Sequence, residues 1–195
     1  MSAIAAWLGL ASFVLEGGFF AFMHFREPRT KVLSDPVSYL ALGSSARIFL
    51  AYVAMGALGS AFLASAMLTS FSHQFSWFAV GALALSVPAR LGVMRFKTGR
   101  GAWASAAEGR LHFVFAVLTF VLTYIAIHAA TVALSTGAAS SLAVSLTTLR
   151  WIAAASLAAC LLTMIPRFRA AFGLFERVFL GSTVLWFALA ALRLT

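Results

Sequence analysis

Long apolar runs alternate with short polar connections along the chain, and six of these runs are long enough to cross a bilayer. We predict spans over residues 3–25, 46–69, 75–95, 110–133, 145–165 and 174–194. A transmembrane helix needs about 20 apolar residues to cover the hydrocarbon core. The connections leave no room for a separate soluble domain. The pattern therefore predicts one all-α domain over residues 1–195, a polytopic membrane protein built as a bundle of six transmembrane helices.

The first connection is the longest and has a helical pattern of its own. Ser34–Pro36 precedes the apolar run 37–42, and Gly43 follows it. A polar cap, a proline at the first helical position and a glycine stop are typical of a short helix. We expect this helix to lie in the membrane interface. Its apolar side would carry Tyr39, Leu40 and Leu42.

Basic residues concentrate on one side of the predicted bundle. The chain is 63% hydrophobic and 10% charged, with a mean hydropathy of +0.99 and a net charge of +9. Arg90 and Arg150 lie inside spans; eleven of the other basic residues flank the first, third and fifth connections, and Arg193 lies opposite. Positively charged connections stay in the cytoplasm, so both termini are predicted outside. The charge is explained by this bias and by anionic lipids, and we expect no nucleic-acid partner.

Two charged residues fall inside predicted spans and need a partner. Glu16 lies about nine residues from the inner end of the first span, and Arg90 about five residues from the inner end of the third. Their backbones differ in depth by roughly 6 Å, which an arginine side chain can cover. We predict an intramembrane ion pair between them. The alternatives are a protonated Glu16 and an Arg90 that extends to the inner interface.

Five polar residues near the basic side form a candidate site. They are Asp35, Glu108, His112, Glu176 and Arg177. Helix caps and interface anchors explain each of them singly, whereas together they could bind a lipid headgroup or another ligand. In an enzymatic alternative, His112 would be a general base oriented by Glu108 one turn away, Asp35 would complete the catalytic set and Arg177 would hold a phosphate.

Small residues recur every four positions in the second span, at Gly56, Ser60 and Ala64. They share one helix face and permit close approach of another helix. This face either packs inside the bundle or forms a seam with a membrane-protein partner.

Resident cofactors are not indicated. His112 and His128 stand 16 residues apart, so they point about 160° apart around an ideal helix. They could not both face one haem-binding core, and we expect no haem. Metal-binding and nucleophilic motifs with fixed local spacing are also absent from the sequence, so we expect no metal.

Short motifs follow one another in a characteristic order. They are Leu33-Ser34-Asp35, Phe96-Lys97-Thr98, Glu108-Gly109-Arg110-Leu111-His112, Gly173-Leu174-Phe175-Glu176-Arg177, Trp186 and Leu192-Arg193-Leu194. Their order resembles a bacterial family of six-span proteins, domain of unknown function 998, with a remote likeness to Frag1-type and DRAM-type membrane proteins. The resemblance implies a six-helix bundle in the bacterial inner membrane and no established reaction. The chain departs from the pattern at Gly99, where an acidic residue is expected, and this removes one carboxylate.

These observations favour a non-enzymatic integral membrane protein that binds lipid or docks on a larger complex as an accessory subunit. A membrane-embedded lipid-modifying enzyme is the alternative. A small transporter ranks third, because the two halves show no convincing internal repeat.

Overall fold

A computed structural model describes residues 2–28, 30–70, 77–99 and 107–195 of the chain. Six long helices dominate it, and each is long and apolar enough to cross a membrane. They are α1 (Ser2–Arg26), α2 (Ala46–Ser70), α3 (Trp77–Arg95), α4 (Ala107–Ser135), α5 (Ser140–Leu162) and α6 (Phe172–Leu194). Two short 3-10 helices, Val37–Leu42 and Pro166–Ala171, lie in the first and fifth connections. The prediction of an all-α bundle with six spans is confirmed.

The predicted bounds differ most for the fourth and fifth spans. Helix α4 begins at Ala107 rather than at residue 110, and α5 covers Ser140–Leu162 rather than 145–165. Helix α5 ends early because a residue before proline disfavours helical dihedral angles. Ile165 precedes Pro166 and is extended, with φ −71° and ψ 126°. The first two residues of the third predicted span lie outside the described residues.

Tight packing is concentrated in the half of the bundle remote from the basic connections. Helix α1 packs between α2 and α6, and each later helix packs on the one before it. The large side chains Phe13, Leu63, Ile127 and Trp186 are fully buried there. Phe13 stacks on Phe187 with ring centroids 5.0 Å apart. This end supplies the rigid frame for the more open half near the basic connections.

The short helix in the first connection packs on the bundle through two of its residues. Val37 and Leu40 are buried against a cluster that includes Met23 and Phe49, while Leu42 is 40% exposed. Leu40 of the predicted apolar side is thus buried in the bundle, and the placement of this helix in the membrane interface stays a prediction. Burying Val37 and Leu40 on an existing apolar surface removes more apolar area from water than the interface would.

The predicted side-chain cap of that helix is also absent from the described residues. Pro36 occupies the cap position rather than the first turn and makes no side-chain cap bond, and the backbone N–H of Val37 bonds to Glu176 of α6 instead. The carboxylate of Asp35 instead accepts a 2.9 Å hydrogen bond from the Lys31 backbone N–H. The same carboxylate thus stabilises the turn that precedes the helix.

The small residues of α2 face the interior. Gly56, Ser60 and Ala64 are all buried within the bundle. A Cβ on Gly56 would collide with the side chains of Glu16 and Arg90. The suggestion that this face forms a seam with a protein partner was wrong, because the face packs closely against other parts of the same chain.

Candidate functional site

Glu16 of α1 and Arg90 of α3 form an ion pair inside the bundle. Arg90 Nη1 lies 2.7 Å from Glu16 Oε1, and both side chains are buried. The comparison of their depths predicted this contact, and Arg90 does not extend to the interface. Two atoms of the pair, Glu16 Oε2 and Arg90 Nε, are buried without a hydrogen-bond partner in the described part of the chain.

A cavity of about 450 Å³ lies beside this ion pair, between helices α2 to α6 and the first connection. Pockets that bind small molecules usually have volumes of about 300–1,000 Å³. Near the basic connections its wall carries charged side chains among apolar ones such as Phe49 and Val93. Deeper in the membrane the wall is mainly apolar, and it is formed by Ala116, Val117, Phe120, Phe179 and Leu180 together with Thr119, Thr123 and Thr183.

Four polar side chains from four helices line the cavity at one depth. They are Tyr52, Arg90, His112 and Glu176, which we call the polar layer. Each lies four to six residues from the basic end of its helix, or about 6–9 Å at 1.5 Å per residue. Arg90 in turn bonds to Glu16. The intramembrane ion pair and the residues of the predicted polar site therefore belong to one cluster.

His112 is held by the backbone and not by the predicted carboxylate. Its Nδ1 donates a 2.8 Å hydrogen bond to the carbonyl oxygen of Phe96. Because a carbonyl only accepts, Nδ1 carries the proton. Glu108 is exposed in the first turn of α4, and no hydrogen bond joins it to His112 in the described residues. The predicted Glu108–His112 pair was wrong, because the buried carbonyl competes successfully for the ring.

Glu176 attaches the first connection to α6. Its Oε2 accepts a 2.6 Å hydrogen bond from the backbone N–H of Val37, the first residue of the short helix. Close by, the backbone N–H of Leu174 donates to the carbonyl oxygen of Leu33 at 3.0 Å. The connection is therefore fixed over the polar end of the cavity.

Arg177 strengthens the same attachment with its guanidinium group. Its Nη1 donates to the carbonyl oxygens of Val32, Asp35 and Gly173 at 3.0, 2.8 and 2.9 Å. Its Nε donates to Nε2 of His24 at 2.8 Å, so His24 is neutral in this arrangement. The guanidinium thus holds the backbone, and it does not line the cavity where a phosphate was predicted to bind.

Glu27 joins the two ends of the first connection, the one after α1 and the one before α2. Its Oε1 accepts hydrogen bonds from the Ser44 hydroxyl at 2.8 Å and from the Ser45 backbone N–H at 3.0 Å. The bond from Ser44 is the main reason that the pKa of Glu27 lies below its usual value, against a smaller opposing effect of desolvation. A Cβ on Gly43 would lie 2.6 Å from the same oxygen, so this position favours glycine.

The cavity also has a side that faces the surrounding lipid. Val117 and Val121 of α4 line it and are 39% and 42% exposed. Leu161 and Met164, at the end of α5 and just beyond it, line it opposite and are 63% and 42% exposed. Because the same residues are on the cavity wall and on the outer surface, the cavity opens sideways between α4 and the end of α5.

The structure thus gathers four of the five predicted site residues. Asp35, Glu176 and Arg177 meet at the first connection, and His112 joins Asp35 and Glu176 on the cavity wall. Glu108 is separate from them. Sequence reasoning did not include Tyr52 in the site, although it lies one turn before Gly56 and so shares the face that meets the ion pair.

Comparisons with protein-family models, curated proteins and solved structures found no match to the chain. The resemblance to domain of unknown function 998 therefore stays a prediction.

Proposed function

We propose that this integral membrane protein binds an amphiphilic lipid in the cavity, with the polar part of the lipid at the polar layer and its chain along the apolar wall. The observation that carries the proposal is that the charged side chains of one cavity of about 450 Å³ all lie near the basic connections, whereas its deeper wall is mainly apolar. A lipid has the same division along its length. The opening between α4 and the end of α5 gives it a route from the bilayer.

Binding without chemistry is favoured over a lipid-modifying reaction. The enzymatic alternative required His112 to be oriented by Glu108, and His112 bonds to the Phe96 carbonyl instead. Arg177, which was to hold a phosphate, uses its Nη1 and Nε on the backbone and His24. These two residues therefore support the shape of a binding site rather than a reaction centre. Burial of Gly56 also argues against a docking role for the small-residue face.

We further propose that the protein lies in a bacterial inner membrane with its basic connections in the cytoplasm. The distribution of Lys and Arg supports this orientation. In a Cys160→Ala background, an impermeant maleimide added to intact spheroplasts should label Ser2→Cys and spare Lys97→Cys until the membrane is opened. Labelling with the reverse preference would show that the orientation is inverted.

Filling the cavity should abolish lipid binding without unfolding the bundle. Ala116 lines the apolar wall from α4, and Ala116→Phe places a ring in the space that the chain would occupy. We expect native mass spectrometry of gently extracted protein to show at least a tenfold drop in bound lipid, a free-energy change of about 1.4 kcal/mol. The melting temperature should be unchanged or higher, since filling a cavity commonly stabilises a protein.

Val114→Phe is the matched control. Val114 lies two residues away on the exposed side of α4, where it is 56% exposed and does not line the cavity. The Val114→Phe variant should retain as much bound lipid as the parent protein. If the parent protein carries no lipid after gentle extraction, or if both variants keep it equally, lipid is not bound in this cavity.

A further inference from the structure

We infer that α5 is a docking surface for a transmembrane helix of another protein, and that Arg150 pairs there with an aspartate or glutamate near the middle of the partner's span. This surface lies on the outside of the bundle and does not depend on the ligand of the cavity. The inference is carried by the depth of Arg150, by the contacts it makes, and by the places where the chain holds its carboxylates.

Arg150 lies near the middle of a membrane-spanning helix. Ser140, where α5 begins, is ten residues before it, and Leu162, where α5 ends, is twelve residues after it. Its Cα is therefore about 15 Å from the end of α5 remote from the basic connections and about 18 Å from the basic end. The hydrocarbon core is about 30 Å thick, whereas the five bonds of an arginine side chain reach about 6 Å. The guanidinium thus stays within the hydrocarbon, out of reach of lipid phosphates on either side.

The contacts of Arg150 do not offset its charge. Within the part of the chain that the structure describes, it makes no ion pair and no hydrogen bond. Its Cζ lies 5.0 Å from the ring centroid of Trp151, which is 62% exposed on the outer surface of α5. A cation–π contact at an exposed ring contributes less than the insertion of an unpaired arginine at the centre of a span costs. The bundle alone therefore leaves a cation in lipid without an anion.

A carboxylate is the group that suits this cation. Charged residues inside the membrane pair with one another, because each removes the cost of the other. A carboxylate can also accept two parallel hydrogen bonds from the planar guanidinium. The partner must hold its aspartate or glutamate at the same depth as Arg150, near the middle of its own span.

A second copy of the chain does not supply this carboxylate. The distribution of Lys and Arg gives every copy the same orientation, so equal residues lie at equal depths. Of the five acidic residues in the sequence, Glu16 and Glu176 are buried in the bundle and already have partners. The other three lie at the basic side, about 18 Å from the level of Arg150, and they are Glu27, Asp35 and Glu108. The partner is therefore a different protein.

The surface around Arg150 also allows another helix to come close. Helix α5 is the least buried of the six spans, and it packs mainly on α6 and α4. Its exposed positions include the small residues Thr148, Ala155 and Ala158. Small residues let helix backbones approach each other in a membrane. The exposed positions of α4 instead carry mostly branched apolar side chains such as Val132, so charge and shape favour the same helix as the docking surface.

Three synthetic helices test this assignment with the full-length protein in vesicles of dioleoylphosphatidylcholine at pH 8. Each is a run of about 21 leucines between lysines, with Glu, Gln or Leu as the central residue, which reaches the middle of the bilayer in either orientation. Energy transfer from labelled protein to labelled peptide measures binding. The Glu peptide should bind at least about tenfold more tightly than the Gln or Leu peptide, a difference of about 1.4 kcal/mol, because it alone neutralises Arg150.

Arg150→Leu and Arg193→Leu make a matched pair of variants. Both remove one arginine from a span, but Arg193 lies in the last turn of α6, close to the water. Binding of the Glu peptide should fall at least about tenfold in Arg150→Leu and stay within about twofold of the parent value in Arg193→Leu. Arg150→Leu replaces an unpaired charge by an apolar side chain, so it should fold. The three peptides on the parent protein decide the question even without it.

The outcomes separate the partner from its competitors. Equal binding of the three peptides, or binding of the Glu peptide that is unchanged in Arg150→Leu, overturns the inference. Energy transfer between two labelled copies of the parent protein that is lost in Arg150→Leu also overturns it, because the occupant is then a second copy.

Addition of dioleoylphosphatidylglycerol to the vesicles tests a lipid phosphate as the occupant. Binding of the Glu peptide should change by less than about twofold, since the phosphate cannot reach Arg150. A tenfold loss of Glu-peptide binding would show that a phosphate occupies this place, and it would overturn the inference. None of these results bears on lipid binding in the cavity.

Discussion

Replacing Arg90 with methionine is expected to lower the free energy of unfolding by about 3–5 kcal/mol, since a buried carboxylate would lose its charge partner. Arg90 is 6% exposed and Glu16 is fully buried, so water cannot replace the lost contact. Equilibrium unfolding with increasing sodium dodecyl sulfate in mixed micelles, followed by circular dichroism, measures the change.

The double variant Glu16→Met/Arg90→Met is the control for this result. Replacing both members of a buried ion pair by apolar residues is often neutral or stabilising. We expect its free energy of unfolding to return to within about 1 kcal/mol of the parent value, whereas Glu16→Met alone should be destabilised like Arg90→Met. Equal destabilisation of the double variant would mean that the shape of the two side chains, rather than their charges, supports the bundle.

Arg177→Met should destabilise the protein by about 3 kcal/mol or more and release the first connection. Hydrogen bonds to a charged group contribute about 1.5–3 kcal/mol each, and this variant loses those to His24 and to the carbonyl oxygens of Val32, Asp35 and Gly173. The released connection should be cut by trypsin after Lys31 at least tenfold faster than in the parent protein. Timed digestion with mass spectrometry of the fragments measures this rate.

Arg167→Met is the matched control, because Arg167 is an exposed arginine in the second 3-10 helix. Its free energy of unfolding should stay within about 0.5 kcal/mol of the parent value. Arg177→Lys keeps the charge but has no planar fork of donors, so it should fall between the parent and Arg177→Met. Unchanged cleavage after Lys31 in Arg177→Met would show that the other contacts alone hold the connection.

Features that depend on position along one helix could be predicted from the sequence. Run length determines the six spans, and depth made a contact between Glu16 and Arg90 possible, since a bilayer gives each residue of a span a known level. The end of α5 was predicted too late, because the apolar run continues to Ile165 whereas the helix ends at Leu162.

Features that depend on rotation of helices about their axes could not be predicted in this way. The spacing of Glu108 and His112 permits a contact, but the choice of the Phe96 carbonyl depends on where α3 ends beside α4. Likewise, Gly56 shows that something large comes close to α2, and only the packed structure identifies it as the ion pair. The cavity is a space between helices α2 to α6, so no single segment of the sequence predicts it.

The attachment of the first connection to α6 also has a consequence for the order of synthesis. The segment that covers the cavity leaves the ribosome before Glu176 and Arg177, which hold it and belong to α6. A nascent chain that has inserted only five helices therefore has the cover without its anchors. Closure of the cavity by this segment must wait for α6, so loss of α6 should leave the cavity without its cover even where the earlier helices have inserted correctly.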